Sequence, residues 1–271
     1  MSIIIAGKNE IGCNMLKYVI ENYKEYQIYV VLNQTENGVD GWQPSIQKLA
    51  QQENIPIISL EDVYDINDCL FLSCEFDKII KPHLFNTDRL INIHFSKLPE
   101  YKGMYTSCLP ILHGKKETGV TLHKIDKGVD TGDIIDQTVF PILTTDTALD
   151  VYLKYNKHGY ELIRKNFDSL VKGTFDSFSQ PVENASYYSK KTIDFKNLKV
   201  NYWKTANEIK NQIHAYSFVH YQLPYFNESK IVRAELLGDK SIDLPKKILE
   251  ETEDYIIVNS IDYNIKLYKH K

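Results

Sequence analysis

Apolar and polar positions keep two rhythms along the chain, and the change from one to the other divides it near residue 180. Before that point, short continuous apolar runs alternate with amphipathic stretches. Ser2-Ile3-Ile4-Ile5-Ala6 ends at Gly7 and predicts a buried parallel strand. Gly7 to Gly12 then opens a helix with Met15, Leu16, Val19 and Ile20 on one face. That turn fits neither GxGxxG nor a P-loop, and reads as a strand-to-helix turn beside a ligand crevice. Tyr29 to Leu32, Ile55 to Ile58 and Cys69 to Leu72 predict further strands, with a polar loop from Asn33 to Gly41 and a helix from Pro44 to Glu53. This is the alternation of βα units, so the chain is predicted to be α/β with a mostly parallel sheet.

Leu90, Ile91 and Ile93 make the next apolar run. Tyr105 to Leu112 predicts a helix, and Thr118 to Lys124 alternates as a half-buried strand carrying His123, a second histidine near Asn92 and His94 or else a residue of the sheet surface. Ile134-Ile135 and Val139-Phe140 continue as strand. Thr147 to Leu170 is a long amphipathic helix with Leu149, Leu153, Leu162, Ile163 and Phe167 as packing positions. Pro181 to Lys190, with a Pro, an Asn, two Ser and a Tyr pair, marks the expected boundary between residues 1–180 and a smaller module over 181–271. In that module Trp203 to Tyr216 reads as helix. Ile231 to Leu237, Tyr255 to Val258 and Tyr263 to Tyr268 alternate as strands, so the module is β-rich.

Composition narrows the function classes. A chain of 271 residues with 43% hydrophobic and 25% charged residues can bury a full core. The net charge of −4 advertises no affinity for nucleic acid or an anionic membrane. Residues 181–271 hold 14 Lys+Arg against 12 Asp+Glu, so they are not a basic arm. Cys13, Cys69, Cys74 and Cys108 form no CxxC pair and no secretory or membrane segment is read, so free thiols in a reducing cytoplasm are expected. His94, His113 and His123 lack a short paired spacing, and no metal site is expected.

The chemistry concentrates between Ile91 and Asp136. Asn92 and His94 are two apart at the end of an apolar run, so on a strand their side chains share one side, at the strand end where open α/β sheets bind ligands. Gly128-Val129-Asp130-Thr131-Gly132-Asp133 is a glycine-bracketed turn with two carboxylates. An Asn, a His and an Asp make an acyl-transfer set: the imidazole takes a proton, the carboxylate orients the ring and favours its charged form, and the amide donates to a developing oxyanion. Asp130 is the preferred carboxylate and Asp133 the alternative. Lys78 and Lys81 follow the Cys69 strand and so lie on the ligand side of the sheet. Phe218, Tyr221 and Tyr225 cluster around Pro224, and Tyr221 is the preferred platform for a stacked base.

Four ordered blocks in this stretch resemble the folate-dependent formyltransferases: Asn92-Ile93-His94-Phe95-Ser96-Lys97-Leu98-Pro99, Tyr101-Lys102-Gly103, Gly119-Val120-Thr121-Leu122-His123 and Asp130-Thr131-Gly132-Asp133. Segments 73–82 and 102–107 are most similar to the nucleotide-sugar N-formyltransferases, particularly those acting on dTDP-linked 3-amino-3,6-dideoxyhexoses. The resemblance implies a Rossmann-like catalytic domain over 1–180 and formyl transfer from N10-formyltetrahydrofolate to a sugar amine. It implies catalysis by Asn92, His94 and Asp130 and folate contacts from Cys74, Phe76, Ile79, Gly128 and Asp133. Sugar-nucleotide contacts are implied for Lys78, Met104, Tyr105 and Tyr221. It further implies a cytoplasmic homodimer, paired through the β-rich module, that serves bacterial surface-polysaccharide synthesis. The family often places arginine near the base of the C-terminal module; here Lys190-Lys191 and His214 stand, so phosphate recognition by arginine is not expected there.

Overall fold

The computed structural model describes residues 1–271, apart from the side chain of Asn197. Two compact units divide the chain. The first comprises Met1–Lys102, Gly119–Val139 and Tyr155–Tyr187, and the second Gly103–Thr118, Phe140–Lys154 and Tyr188–Lys271.

The first unit is built on a six-stranded sheet. Its elements run β1 (Ser2–Gly7), α1 (Asn9–Asn22), β2 (Gln27–Leu32), α2 (Ile46–Gln52), α3 (Leu60–Tyr64), β3 (Cys69–Cys74) and β4 (Leu90–His94). After the two-residue β5 (Lys102–Gly103) and the short α4 (Leu109–Leu112), which belongs to the second unit, come β6 (Glu117–Lys124), β7 (Ile134–Pro141) and, from Tyr155 on, α5 (Ala148–Lys172). The strand order is β2-β1-β3-β4-β6-β7, with β2, β1, β3 and β4 parallel and β6 antiparallel to β4. The continuous apolar runs of β1 and β3 are buried on both faces, as a strand between two helical layers requires. One face of the sheet packs Ile4, Ala6, Val31, Phe71 and Leu90 against Leu60, Val63, Ile80 and Phe85.

Some sequence expectations fall differently, for local reasons. Ile55 to Ile58 makes only a bridge from Ile57 to Val30, because Pro56 has no amide to give a ladder and offers only its carbonyl to Val30. The 44–53 helix shortens to α2 behind the side-chain cap of Ser45. Helix α3 carries a capping box of Ser59 with Asp62, a signal too short to stand out as a periodic run. In α5, Leu162, Ile163 and Phe167 are buried as expected, but Leu153 is 45% exposed and Tyr152 and Tyr155 are buried instead.

The second unit holds β8 (Tyr187–Tyr188) in part, then α6 (Ala206–Tyr216), β9 (Tyr225–Phe226), β10 (Ser229–Lys240), β11 (Ile248–Glu251), β12 (Tyr255–Asn259) and β13 (Tyr263–Lys269). The last five form an antiparallel sheet in the order β11-β12-β13-β10-β9. Ala206, Ile209 and Ile213 of α6 pack on Phe226, Ile231, Ala234, Ile256, Val258, Ile265 and Leu267. Thr205 and Glu208 cap α6 reciprocally, which starts the helix three residues later than the sequence suggests. The predicted Tyr105–Leu112 helix is likewise reduced to α4, since Tyr105 adopts a left-handed φ of 63°. His214 is buried between the carbonyl of Asp146 at 3.1 Å and the backbone of Ala234 at 3.0 Å, and burial pushes its imidazole down to about 4. Its role in this structure is therefore packing of the unit, in the neutral form.

Candidate active site

Register gathers the site. In the β4–β6 pair, Asn92 lies opposite His123 and His94 opposite Thr121, so the period of two puts all four side chains on one face. Asn92 Nδ2 lies 3.0 Å from His123 Nε2, while His123 Nδ1 lies 2.7 Å from the carbonyl of Lys124. A carbonyl only accepts, so Nδ1 carries the proton and Nε2 accepts from Asn92. That bond fixes which way the Asn92 amide faces. Of the two readings of His123, the structure takes the one near the site: it is 2% exposed and part of the cluster.

His94 is held by the loop that follows it. Its Nε2 donates to the carbonyl of Tyr101 at 2.8 Å. The loop is pinned in turn: Thr121 Oγ1 donates to the carbonyl of Ser96 at 2.7 Å and accepts from the amide of Leu98 at 3.1 Å. Gln137 Nε2 bonds both Thr121 Oγ1 and the carbonyl of Leu98, at 2.8 and 3.0 Å. With Nε2 committed, Nδ1 is the ring nitrogen available for a proton, and it faces Asp130 Oδ2 at 3.4 Å. Burial pushes the His94 imidazole below its ordinary value, and the Asp130 carboxylate opposes that shift.

Asp130 reaches the cluster from the turn between β6 and β7, with a left-handed φ of 54°. Its Oδ1 lies 3.4 Å from Asn92 Nδ2 and 3.5 Å from His123 Nε2. The turn is shaped from within by Asp126, which accepts from the Gly128 amide at 2.9 Å and from Thr131 Oγ1 at 2.6 Å. Gln180 Nε2 clamps it from outside, donating to the carbonyls of Asp130 and Gly132 at 2.9 and 2.8 Å. Gly132 passes so close to β6 that a Cβ there would sit 1.9 Å from the carbonyl oxygen of Lys124. Gly132→Ala is accordingly expected to displace the Asp130 turn and to cut turnover more than it lowers the melting temperature. Equal turnover in a folded variant would mean that the turn's position does not matter.

Asn92, His94 and Asp130 are therefore brought together, and the carboxylate beside His94 is that of Asp130. Asp133 is half-buried and its carbonyl accepts from the Lys124 amide at 2.9 Å. Beside Asp130, a hollow of about 380 Å³ is lined by Lys102, Val129, Thr131, Ala185, Ser186 and Tyr187. Ser186 ties this wall to the His94 loop: its Oγ accepts from the Tyr101 amide at 2.8 Å and its carbonyl from the Lys102 amide at 2.9 Å.

The other sequence candidates are more scattered. Cys74 is wholly buried, which pushes its thiol far up, so its side chain presents no surface to a ligand. Phe76 packs at the edge of the sheet core, 6.2 Å from Phe71, and Ile79 is 76% exposed. Lys78 is half-buried and Gly128 exposed. Met104, Tyr105 and Tyr221 belong to the second unit. There the Tyr105 hydroxyl donates to the carbonyl of Lys190 at 2.8 Å and its ring meets Phe195 edge-on, while Tyr221 is exposed against Phe218 at 5.0 Å. Among the described residues no group of three His, Cys, Asp or Glu side chains has metal-holding geometry.

Sequence reasoning missed Gln180 and the Tyr101 carbonyl, whose roles depend on loop paths that no spacing encodes. His123 was legible as a second histidine near the site, and Thr121 and His123 repeat the two-residue spacing of Asn92 and His94 on the neighbouring strand.

Comparison with known proteins places this arrangement. The formyl transferase family matches residues 47–166. WlaRD, a sugar 3N-formyl transferase crystallised with dTDP and 5-N-formyl-THF, superposes with a TM-score of 0.93 at 44% identity over 99% of this chain and 97% of its own. The N-formyltransferase of Helicobacter canadensis, in complex with folinic acid and dTDP-3-aminofucose, gives 0.93 at 42% identity over the whole of both chains. Methionyl-tRNA formyltransferase of Staphylococcus aureus is 27% identical over 96% of this chain and 88% of its own. With the shared fold, and with identity above two in five to sugar formyltransferases along the full length, the chain belongs to the formyltransferase family, among its sugar N-formyltransferases.

Proposed function

We propose that this protein transfers a formyl group from N10-formyltetrahydrofolate to the amine of a dTDP-linked amino-dideoxy sugar, with dTDP-3-amino-3,6-dideoxy-D-glucose the preferred acceptor. The observation that carries the reading is the cluster of Asn92, His94, Asp130 and His123 at one strand end. It lies in a chain 42–44% identical to sugar formyltransferases crystallised with dTDP or a dTDP-amino sugar and a formyl folate. The bound folate supplies an activated formyl carbon. His94 Nδ1 takes the proton that the attacking amine sheds, Asp130 stabilises the imidazolium so formed, and the proton passes on to the folate nitrogen as its bond to the formyl carbon breaks. One Asn92 amide hydrogen stays on His123 Nε2. The other, whose contact to Asp130 is long at 3.4 Å, is the donor left for a formyl oxygen placed beside it as charge gathers there.

The roles we assign to Cys74, Phe76, Ile79, Gly128 and Asp133 toward the folate, and to Lys78, Met104, Tyr105 and Tyr221 toward the sugar nucleotide, rest on the resemblance of their segments. The Cys74 side chain is buried, and its carbonyl already accepts from the Lys8 amide at 3.2 Å. Residues 1–180 carry the transfer in this reading and 181–271 the smaller module, in a cytoplasmic homodimer that serves surface-polysaccharide synthesis. No helix among the described residues is long and apolar enough to cross a membrane. A methionyl-tRNA acceptor is disfavoured by the near-neutral charge of residues 181–271, which gives phosphates little to hold.

The test is a panel of dTDP-amino sugars offered with N10-formyltetrahydrofolate and followed by product mass. Faster formylation of the 3-amino-3,6-dideoxyglucose compound than of its 4-amino isomer is the expected result. Preference for the 4-amino isomer would overturn the regiochemistry, and formylation of methionyl-tRNA alone would overturn the acceptor class.

A further inference from the structure

The sheet reverses its strand order between β1 and β3, since the chain steps outward from β1 to β2 and then returns past β1 to lay down β3 and β4. Open α/β sheets bind ligands beyond the carboxyl ends of their strands at such a reversal. Gly7 pairs with Cys74 and Cys74 with Ile93 in the last row of the sheet there. One residue beyond that row stand Glu75 at the end of β3 and His94 at the end of β4.

Glu75 is held in place from two strands. Asn9, opening α1 just after β1, donates from Nδ2 to Glu75 Oε2 at 3.1 Å, and Asn33, following β2, donates from Nδ2 to the Glu75 carbonyl at 2.8 Å. Asn9 and Glu75 both adopt left-handed backbone, with φ of 59° and 57°, a conformation that non-glycine residues keep mainly where the surroundings enforce it. Gly7 makes the close turn possible, for a Cβ there would lie 1.9 Å from the Cys74 carbonyl oxygen. Asn33 is 3% exposed and its Oδ1 has no hydrogen-bond partner. Asn9 and Glu75 are only half-buried, so the pair is open to a solute.

We propose that the Asn9–Glu75 pair recognises the ring hydroxyl next to the acceptor amine; this rests on the reading that the acceptor is an amino sugar. A carboxylate accepts from a hydroxyl more strongly than a neutral group does. Adjacent strands are about 4.8 Å apart, so a hexose whose amine meets His94 at the end of β4 lies within a ring's width of the end of β3.

Glu75→Gln tests this, because the amide oxygen still accepts from Asn9 while the charge is lost. The expected result is a rise in KM for the dTDP-amino sugar of about tenfold, as for a lost hydrogen bond to a charged group, with KM for the folate unchanged. The penalty should vanish on an analogue lacking the vicinal hydroxyl. An equal loss on parent and deoxygenated acceptors, or a rise confined to the folate, would overturn the proposal and leave the pair a clasp of the turn. Should the variant not fold, the native enzyme decides: deleting each hydroxyl beside the amine must cost about tenfold in kcat/KM for one of them, and undiminished turnover of both analogues would overturn the proposal. Failure of the native enzyme to formylate any dTDP-amino sugar would instead sink the proposed acceptor class.

Discussion

Replacing His94 by alanine is expected to lower kcat by about 10²–10⁴-fold, the range that a positioned general base supplies, while the protein folds normally. His94 is buried and fully committed on one side, its Nε2 on the Tyr101 carbonyl, so no second ring nitrogen can take over the proton from Nδ1. The sign of its titration follows from its surroundings. Burial depresses the imidazole below 6.5, so the neutral, proton-accepting form persists as the pH falls through that value. Asp130 works in the opposite direction, and Asp130→Asn is therefore expected to move the His94 titration lower still. An NMR titration of histidine-labelled protein separates this from titration of the acceptor amine. A His94 transition above 6.5, or one that rises in Asp130→Asn, would contradict the assignment.

Asn92→Ala is expected to cost about 10²–10³-fold in kcat, roughly 3–4 kcal/mol, as loss of one preorganised oxyanion donor does elsewhere. The alternative role for Asn92 is to hold His123 and Asp130 apart from one another. Asn92→Asp distinguishes the two, since it keeps the size of the side chain but places a second carboxylate within reach of Asp130 and removes the donor. A merely spacing residue would leave kcat largely intact in Asn92→Ala and KM for both substrates unchanged. The account predicts a fall in kcat with little change in KM, because the interaction strengthens as charge develops. Replacing His123 by phenylalanine should reproduce a smaller part of that loss, for it frees the amide without removing it. No loss at all in His123→Phe would show that Asn92 needs no orienting partner.

Much of this was legible in the chain. The buried runs Ser2–Ala6 and Cys69–Leu72 announce strands because a strand covered on both faces has no polar side to display. Asn92 and His94 announce themselves because a period of two places them together whatever surrounds them. What was not legible depends on contacts distant in sequence. Gln180 reaches back to the Asp130 turn across about 50 residues, and Tyr101 contributes a backbone carbonyl that any residue type could supply. Cys74 looked like a ligand contact from its segment, but the register that pairs it with Gly7 and Ile93 buries its side chain. Leu153 fits the helical period yet is exposed, because Tyr152 and Tyr155 fill the core on that stretch of α5.

The most direct test of the central claim is a single-turnover reaction of the native enzyme and of His94→Ala with N10-formyltetrahydrofolate and dTDP-3-amino-3,6-dideoxyglucose, read by the mass of the sugar nucleotide. The account predicts that the native enzyme adds one formyl group to the sugar, and that the variant binds both substrates but adds it at least about a hundredfold more slowly. Equal rates in the two proteins, or no formyl group on the sugar with the native enzyme, would contradict it.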